Sequence, residues 1–412
     1  MRLLLERSDV DPNPADEPGQ TALSQTVQSG HEGIVRLLLE RSDVDPNPIG
    51  RFGQTPLSLA VESKRKRIVR ILLERSDVDP NPVDRRGRTP LLLAVERKHE
   101  EIVKILLERT DVNPNAADEG GRTPLFLTAE SKHEGIARIL LERTDVNPNA
   151  ADGRGRTPLS RAIGSGHTGV ARILLERNDV NLNTVDEDGR TPLSLAASGG
   201  REELVKILLG RVNPNTTNKD GRTPLSLAAG SGCEGVVRIL LEWNDINPEQ
   251  ADRCGQTPLS WAARNGHEGI IGILLERNDV NPNTIDEDGR TPLFLALENR
   301  KDKVVRMLLE RNDVDPNTVD KDGRTPLFLA VRDGNAKVVG LLLKRNDINL
   351  NIANHDGQTA VSWAAQNGSD RIAKLLRDRA GFTPICAASP PTNRPLSSQA
   401  VSEPPSKRIR RF

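Results

Sequence analysis

Residues 286–295 read Asp286-Glu287-Asp288-Gly289-Arg290-Thr291-Pro292-Leu293-Phe294-Leu295, and the core of that stretch, Gly-Arg/Gln-Thr-Pro-Leu, recurs almost unchanged along the chain. Its threonine stands at 21, 55, 89, 123, 157, 191, 223, 257, 291, 325 and 359. Nine of the ten intervals are therefore 34 residues, and the one from Thr191 to Thr223 is 32. A strict period of this size marks stacked supersecondary units, none of which can bury its apolar face alone. The 412 residues then need no common centre, because stability is a sum over neighbouring interfaces.

Each unit has a physical logic. Asp286 to Gly289 form a turn, in which aspartate bonds its own backbone and glycine supplies a positive φ. Thr291 caps a helix with its hydroxyl, and Pro292 fits the first helical position, where no N–H is required. Leu293, Leu295, Ala296 and Leu297 predict an apolar helix of about two turns. A break follows, usually through glycine, as at Gly166 and Gly266. A second helix, for example residues 303–311, carries apolar residues on both flanks and should be sandwiched between neighbours. It is expected to end where Asn, Ser or Thr precedes Asp (Asn312-Asp313, Ser76-Asp77, Thr144-Asp145), asparagine tolerating a left-handed cap best. An Asp/Asn-Pro-Asn segment then returns, extended, to the next turn.

Turn, helix, break, antiparallel helix and extended return, with Asp-x-x-Gly-x-Thr-Pro-Leu repeated over eleven units, resemble the ankyrin repeat, and the 34-residue form resembles ankyrin arrays of filamentous fungi. The resemblance covers residues 1 to 379. Two departures stand out: residues such as Ser58, Leu92 and Phe126 replace the family's usual histidine after Thr-Pro-Leu, and the Asn-Pro-Asn loop is one residue longer. The implied fold is an all-α ankyrin solenoid with short β-hairpin-like turns. Residues 1–15 read as a partial leading repeat, 16–379 as eleven repeats and 380–388 as a degenerate terminal one. Residues 389–412, rich in Pro and Ser, read as a disordered tail.

Met1 falls midway through a second helix. The expected alternative to a free-standing scaffold is thus the ligand-sensing half of a signalling protein whose effector domain lies upstream. The tail ends in Lys407, Arg408, Ile409, Arg410 and Arg411, which fit a nuclear-import pattern and set the expected location as cytoplasmic, nuclear or both.

Composition narrows the function. With 58 basic and 58 acidic residues the net charge is zero, which disfavours nucleic acid and anionic membranes as partners of the whole molecule. Three cysteines make no disulfide framework and fit a reducing compartment. No apolar run reaches the roughly 20 residues of a membrane helix. Gly164-x-Gly166-x-x-Gly169 and Gly230-x-Gly232-x-x-Gly235 match a dinucleotide fingerprint, but a helix precedes them where a strand is needed. His31, His99, His133, His167 and His267 share one repeat position, so they form a row bonding neighbouring loops, not a converging metal site. Asp313-x-Asp315-x-Asn317 lacks the glycine and glutamate of a calcium loop. No catalytic constellation assembles, so a monomeric, non-enzymatic protein without cofactor is expected.

Positions that vary while their surroundings repeat are free to bind. The resemblance implies that turn tips and first-helix ends line a concave binding face. In the early units this face is basic: Arg51, Arg85, Arg86 and Arg88 on the turns, with Arg97, Lys98 and Lys64 to Arg67 near the breaks. An acidic segment of another protein is expected over the second and third units, met by bidentate arginines. Phe52 and Arg154 on turn tips, and Trp261 in a first helix, complete the candidate set; Trp243, in place of a repeated arginine, is a further outlier.

Overall fold

The computed structural model describes residues 11–380 apart from 17, 18, 368 and 369. Among them lie eleven helix pairs, from Ala22–Ser29 with Glu32–Leu39 to Ala360–Asn367 with Asp370–Ala380. First helices pack on first helices of the next unit, and second helices on second helices. The expected all-α solenoid is what forms. β-Structure among the described residues is confined to isolated bridges, including Ala15 with Thr21 and Ala353 with Thr359. The apolar core is one continuous strip, in which Leu57, Leu91, Leu125, Leu159, Leu193, Leu225, Leu259, Leu293 and Leu327 are all buried. The leading fragment to residue 10, the degenerate repeat from 381 and the tail with its basic run lie outside the described residues.

Local chemistry explains the elements. Thr291 accepts the N–H of Phe294 at 3.3 Å, and Pro292 opens the helix Pro292–Glu298. In three units the cap is reciprocal: Ser58, Ser160 and Ser362 accept in return from the N–H of Thr55, Thr157 and Thr359. The turn glycine is left-handed throughout, from Gly19 (φ 80°) to Gly357 (φ 74°). Asp84 shows the turn at work. Its Oδ1 accepts the N–H groups of Arg86 and Arg88, each at 2.9 Å, and its Oδ2 accepts Arg88 Nε. Burial alone would raise the Asp84 pKa, but these donors hold it below its ordinary value.

Three findings correct or extend the sequence reading. The second helix ends earlier than expected: Asp302–Leu309 is capped at Glu310 in right-handed geometry, and Asn312, Ser76 and Thr144 are not left-handed. The reason is an arginine fork. Arg143 grips Asp145 with Nε and Nη2 (2.9 and 2.6 Å), while its Nη1 donates to the carbonyl of Arg109 in the preceding unit. Carbonyls that a left-handed cap would satisfy are thus satisfied from the next unit.

Three of the five histidines, His99, His167 and His267, bond helix carbonyls and not loops, whereas His133 Nε2 is buried without a partner among the described residues. His99 Nδ1 lies 3.1 Å from Val61 O and His167 Nδ1 2.8 Å from Ala129 O, both in first helices of the preceding unit. Finally, the Asn-Pro-Asn return is a ladder. Asn81 Nδ2 donates to Asp111 O and its Oδ1 accepts the N–H of Asn113, both at 2.8 Å. Asn13, Asn47, Asn115, Asn149, Asn215, Asn283 and Asn317 repeat at least the donor half of that link.

Candidate functional site

The turns stand in register because each tip bonds the one before it. Arg85 N–H donates to Phe52 O at 3.3 Å, Glu119 to Arg86 O at 3.3 Å, and Glu187 to Arg154 O at 3.0 Å. Variable tip residues 34 positions apart are thereby set side by side along one edge. Arg51 and Arg85 bracket the Phe52 ring, with guanidinium carbons 5.8 and 5.6 Å from its centre, and Phe52 keeps 55 % of its surface exposed. Arg51, Arg85 and Arg86 are exposed and have no ion pair among the described residues. A cation above an aromatic face remains free to take a carboxylate at its edge.

The other candidates divide. Arg88 is committed internally: its guanidinium is 2.8 Å from Asp84 and 2.7 Å from Glu96, and its side chain is 19 % exposed. It builds the turn and leaves the set of free cations. Arg97 is exposed but joined to Glu62 of the preceding unit at 2.9 Å. Arg154 lies 3.9 Å from Glu187, with both side chains largely exposed, an arrangement of small energetic weight. Trp261 is half-buried, and its indole Nε1 donates to Asp252 Oδ2 at 2.9 Å.

A further set was only half legible. At the break after the first helix, Gly30, Gly166, Gly200, Gly232, Gly266 and Gly334 take a left-handed conformation, as glycine can without strain. Lys64 (φ 56°), Lys98 (φ 64°) and Lys132 (φ 61°) hold the same conformation in three successive units, and Arg300 (φ 56°) in a later one. A side chain there costs on the order of 1 kcal/mol. The signal in sequence was the lysine standing in a glycine column; its backbone strain was not readable. The three lysines are exposed and free of ion pairs among the described residues, whereas Lys66 is joined to Glu101 at 2.6 Å.

Chemistry of other kinds has no support among the described residues. No cluster of His, Cys, Asp and Glu could hold a metal ion, and no helix is long and apolar enough to cross a membrane. The suspected calcium motif is spent on ladder and fork: Asp313 grips Arg311, and Asn317 donates to Asp347 O. Both glycine fingerprints sit in helix breaks. Cys233 takes the histidine position of its unit and points its sulfur at Ser198 O, 3.6 Å away.

Helix pairs stacked in register, with variable side chains along a row of turns, define an α-solenoid whose exposed edge is the variable part. The sequence profile described as Ankyrin repeats (3 copies) matches residues 1–84, 44–118, 76–152, 144–217, 178–252, 242–320 and 312–385. The chain belongs to the ankyrin-repeat family, whose members are generally protein-interaction modules. A comparison with curated protein sequences gave no match.

Proposed function

We propose that the chain is a non-enzymatic scaffold that takes an acidic segment of another protein on the concave face of its second to fourth units. The observation that carries this reading is the run Lys64, Lys98, Lys132: three successive units hold a left-handed cation where seven others have glycine. Strain of this kind persists where the residue has a use that glycine cannot serve. Arg51, Arg85 and Arg86, which lack internal carboxylates, supply the bidentate groups, and Phe52 supplies apolar area between them. Arg88 supports these tips from within and does not touch the partner.

The test is affinity capture with the intact chain, comparing native protein with the double variant R85E/R86E and with R70E, whose exposed arginine lies on a second helix. The tip reversal should reduce recovery of the bound partner at least about tenfold, as expected for close charge pairs, and R70E should not. Equal recovery by all three proteins would sink the reading.

A further inference from the structure

Seven units follow the turn glycine with arginine: Arg88, Arg122, Arg156, Arg190, Arg222, Arg290 and Arg324. Six of these hold the aspartate four residues earlier, at 2.6 to 3.0 Å. Three add a glutamate from the first helix: Arg88 with Glu96, Arg122 with Glu130 and Arg290 with Glu298. Arg222 has neither. Asn218 stands at the aspartate position and Gly230 at the glutamate position. Asn218 replaces an acid that all six siblings have, and Gly230, like Gly164, lacks the glutamate that three of them add. The turn itself does not need the carboxylate, because Asn218 Oδ1 still accepts the N–H groups of Asp220 and Arg222 at 3.0 and 2.9 Å.

Arg222 lies instead on Trp261, its guanidinium carbon 3.8 Å from the ring centre. Its Nη2 reaches only the Ser226 carbonyl at 3.3 Å, and its Nε is buried with no hydrogen-bond partner. Gly230 leaves room for this pose, since a Cβ there would sit 2.6 Å from Nη2. Trp261 is held by Asp252, whose carboxylate is available because its own unit has Gln256 in place of the usual arginine. Arg264 stands at the position that Glu62 and Glu96 occupy elsewhere, 5.7 Å from the same ring and without an ion pair among the described residues. Burial pulls the Arg222 pKa below its ordinary value, more than the nearby carboxylates of Asp252 and Asp220 raise it.

We propose that Arg222, Trp261 and Arg264 form an anchor for one carboxylate side chain of an acidic protein segment. The external acid supplies what Asp and Glu supply in the sibling units, and the indole face packs against its aliphatic stem. The source of the carboxylate rests on the scaffold reading above; the site lies three to six units away from the early basic face and is tested separately.

The experiment uses the full chain, with NMR signals of Arg222 Nε–H and Trp261 Nε1–H followed during titration with a hexaglutamate peptide. Hexalysine and inorganic phosphate serve as comparators, and Arg85 and Arg86 are read in the same spectra. Saturable shifts at Arg222 and Trp261 are expected with hexaglutamate alone. N218D, which hands Arg222 the acid that six siblings own, should weaken that response at least about tenfold and leave Arg85 and Arg86 unchanged. Trp261→Leu, the residue found at 59, 93 and 127, should weaken it as well. The proposal is overturned if Arg222 and Trp261 stay still while the early arginines saturate, if N218D responds like the native chain, or if phosphate acts as strongly as the peptide. Shifts at Arg222 without shifts at Arg85 and Arg86 would uphold the anchor and remove the early face instead.

Discussion

Between Asn13 and Asn181 neighbouring units are tied by two repeated polar links, the asparagine ladder and the arginine fork, and from Asp84 onward each turn is closed within its unit by an aspartate–arginine pair. Between Leu209 and Arg264 all three change. Arg211 keeps its bond to Leu175 O at 3.2 Å, but the shortened unit has lost the aspartate it would grip. Trp243 replaces the next fork arginine and packs over Gly210, where a Cβ would lie 3.1 Å from the ring. Glu249 replaces a ladder asparagine, and Asn218 and Gln256 each remove one half of a turn pair. The departures are matched. Two residues are deleted beside left-handed Gly210 (φ 82°), and an indole fills the space; an arginine loses its acids, and another indole lies beneath it. Polar links can thus be exchanged for apolar packing one interface at a time, because each unit answers only to its neighbours.

The largest test of that contrast is Trp243→Ala. Trp243 is 39 % exposed, so losing its packing on Gly210 should cost about 3 kcal/mol, the low end for removing a large aromatic. A urea midpoint unmoved by the change would show that the indole does not replace the fork. Next, Asn81→Ala removes two hydrogen bonds and should cost about 2 kcal/mol. Asn183→Ala should cost far less, because among the described residues Asn183 makes no onward link to the shortened unit. Equal losses at the two sites would erase the distinction between regular and irregular regions.

Glu249 sharpens it from the other side. An amide can both donate and accept, whereas a carboxylate only accepts. Glu249 Oε2 takes the Thr284 hydroxyl at 3.0 Å, but Oε1 is buried and unpartnered. Burial raises its pKa, more than the Thr284 and Asn281 donors lower it, and Asp279 adds to the rise. With the folded pKa above the ordinary 4.5, the stability this group lends is complete below that value and lost as pH rises through the folded pKa. The turn and fork aspartates behave oppositely: Asp84, Asp145 and Asp152 lie below the ordinary 3.8, so their contribution holds above it and fails on acidification. Glu249→Asn should therefore stabilise the array at pH 7 by about 1.5 kcal/mol through a restored ladder bond. The gain should shrink as pH approaches 4.5, and chemical denaturation at pH 5 and 7 measures both. The smallest effect is Lys98→Gly, expected to stabilise by roughly 1 kcal/mol through relief of left-handed strain. If it weakens partner capture at the same time, strain and binding are linked; if it does neither, the lysine run is incidental.

Much was legible in advance. The 34-residue period, the Thr-Pro helix start and the left-handed turn glycine each follow from one residue's conformational preference, which needs no partner. Helix ends were less legible. Asn312 read as a left-handed cap because its neighbours in sequence offered nothing better, yet the donors that relieve such carbonyls come from an arginine one unit on. The same distance hid the ladder: Asn81 looks like a loop former until Asp111 and Asn113 are placed beside it. Arg88 read as a free cation because its residue type says nothing about Asp84 closing on it.

What the residues alone determined is the unit and its repetition, since caps, turns and apolar spacing act over four residues or fewer. Only stacking decided which polar groups were consumed and which were left over. Whether Arg222 meets a carboxylate depends on Asn218, Gly230 and Trp261 reaching one point in space, and that convergence is set by packing between units rather than by any single one.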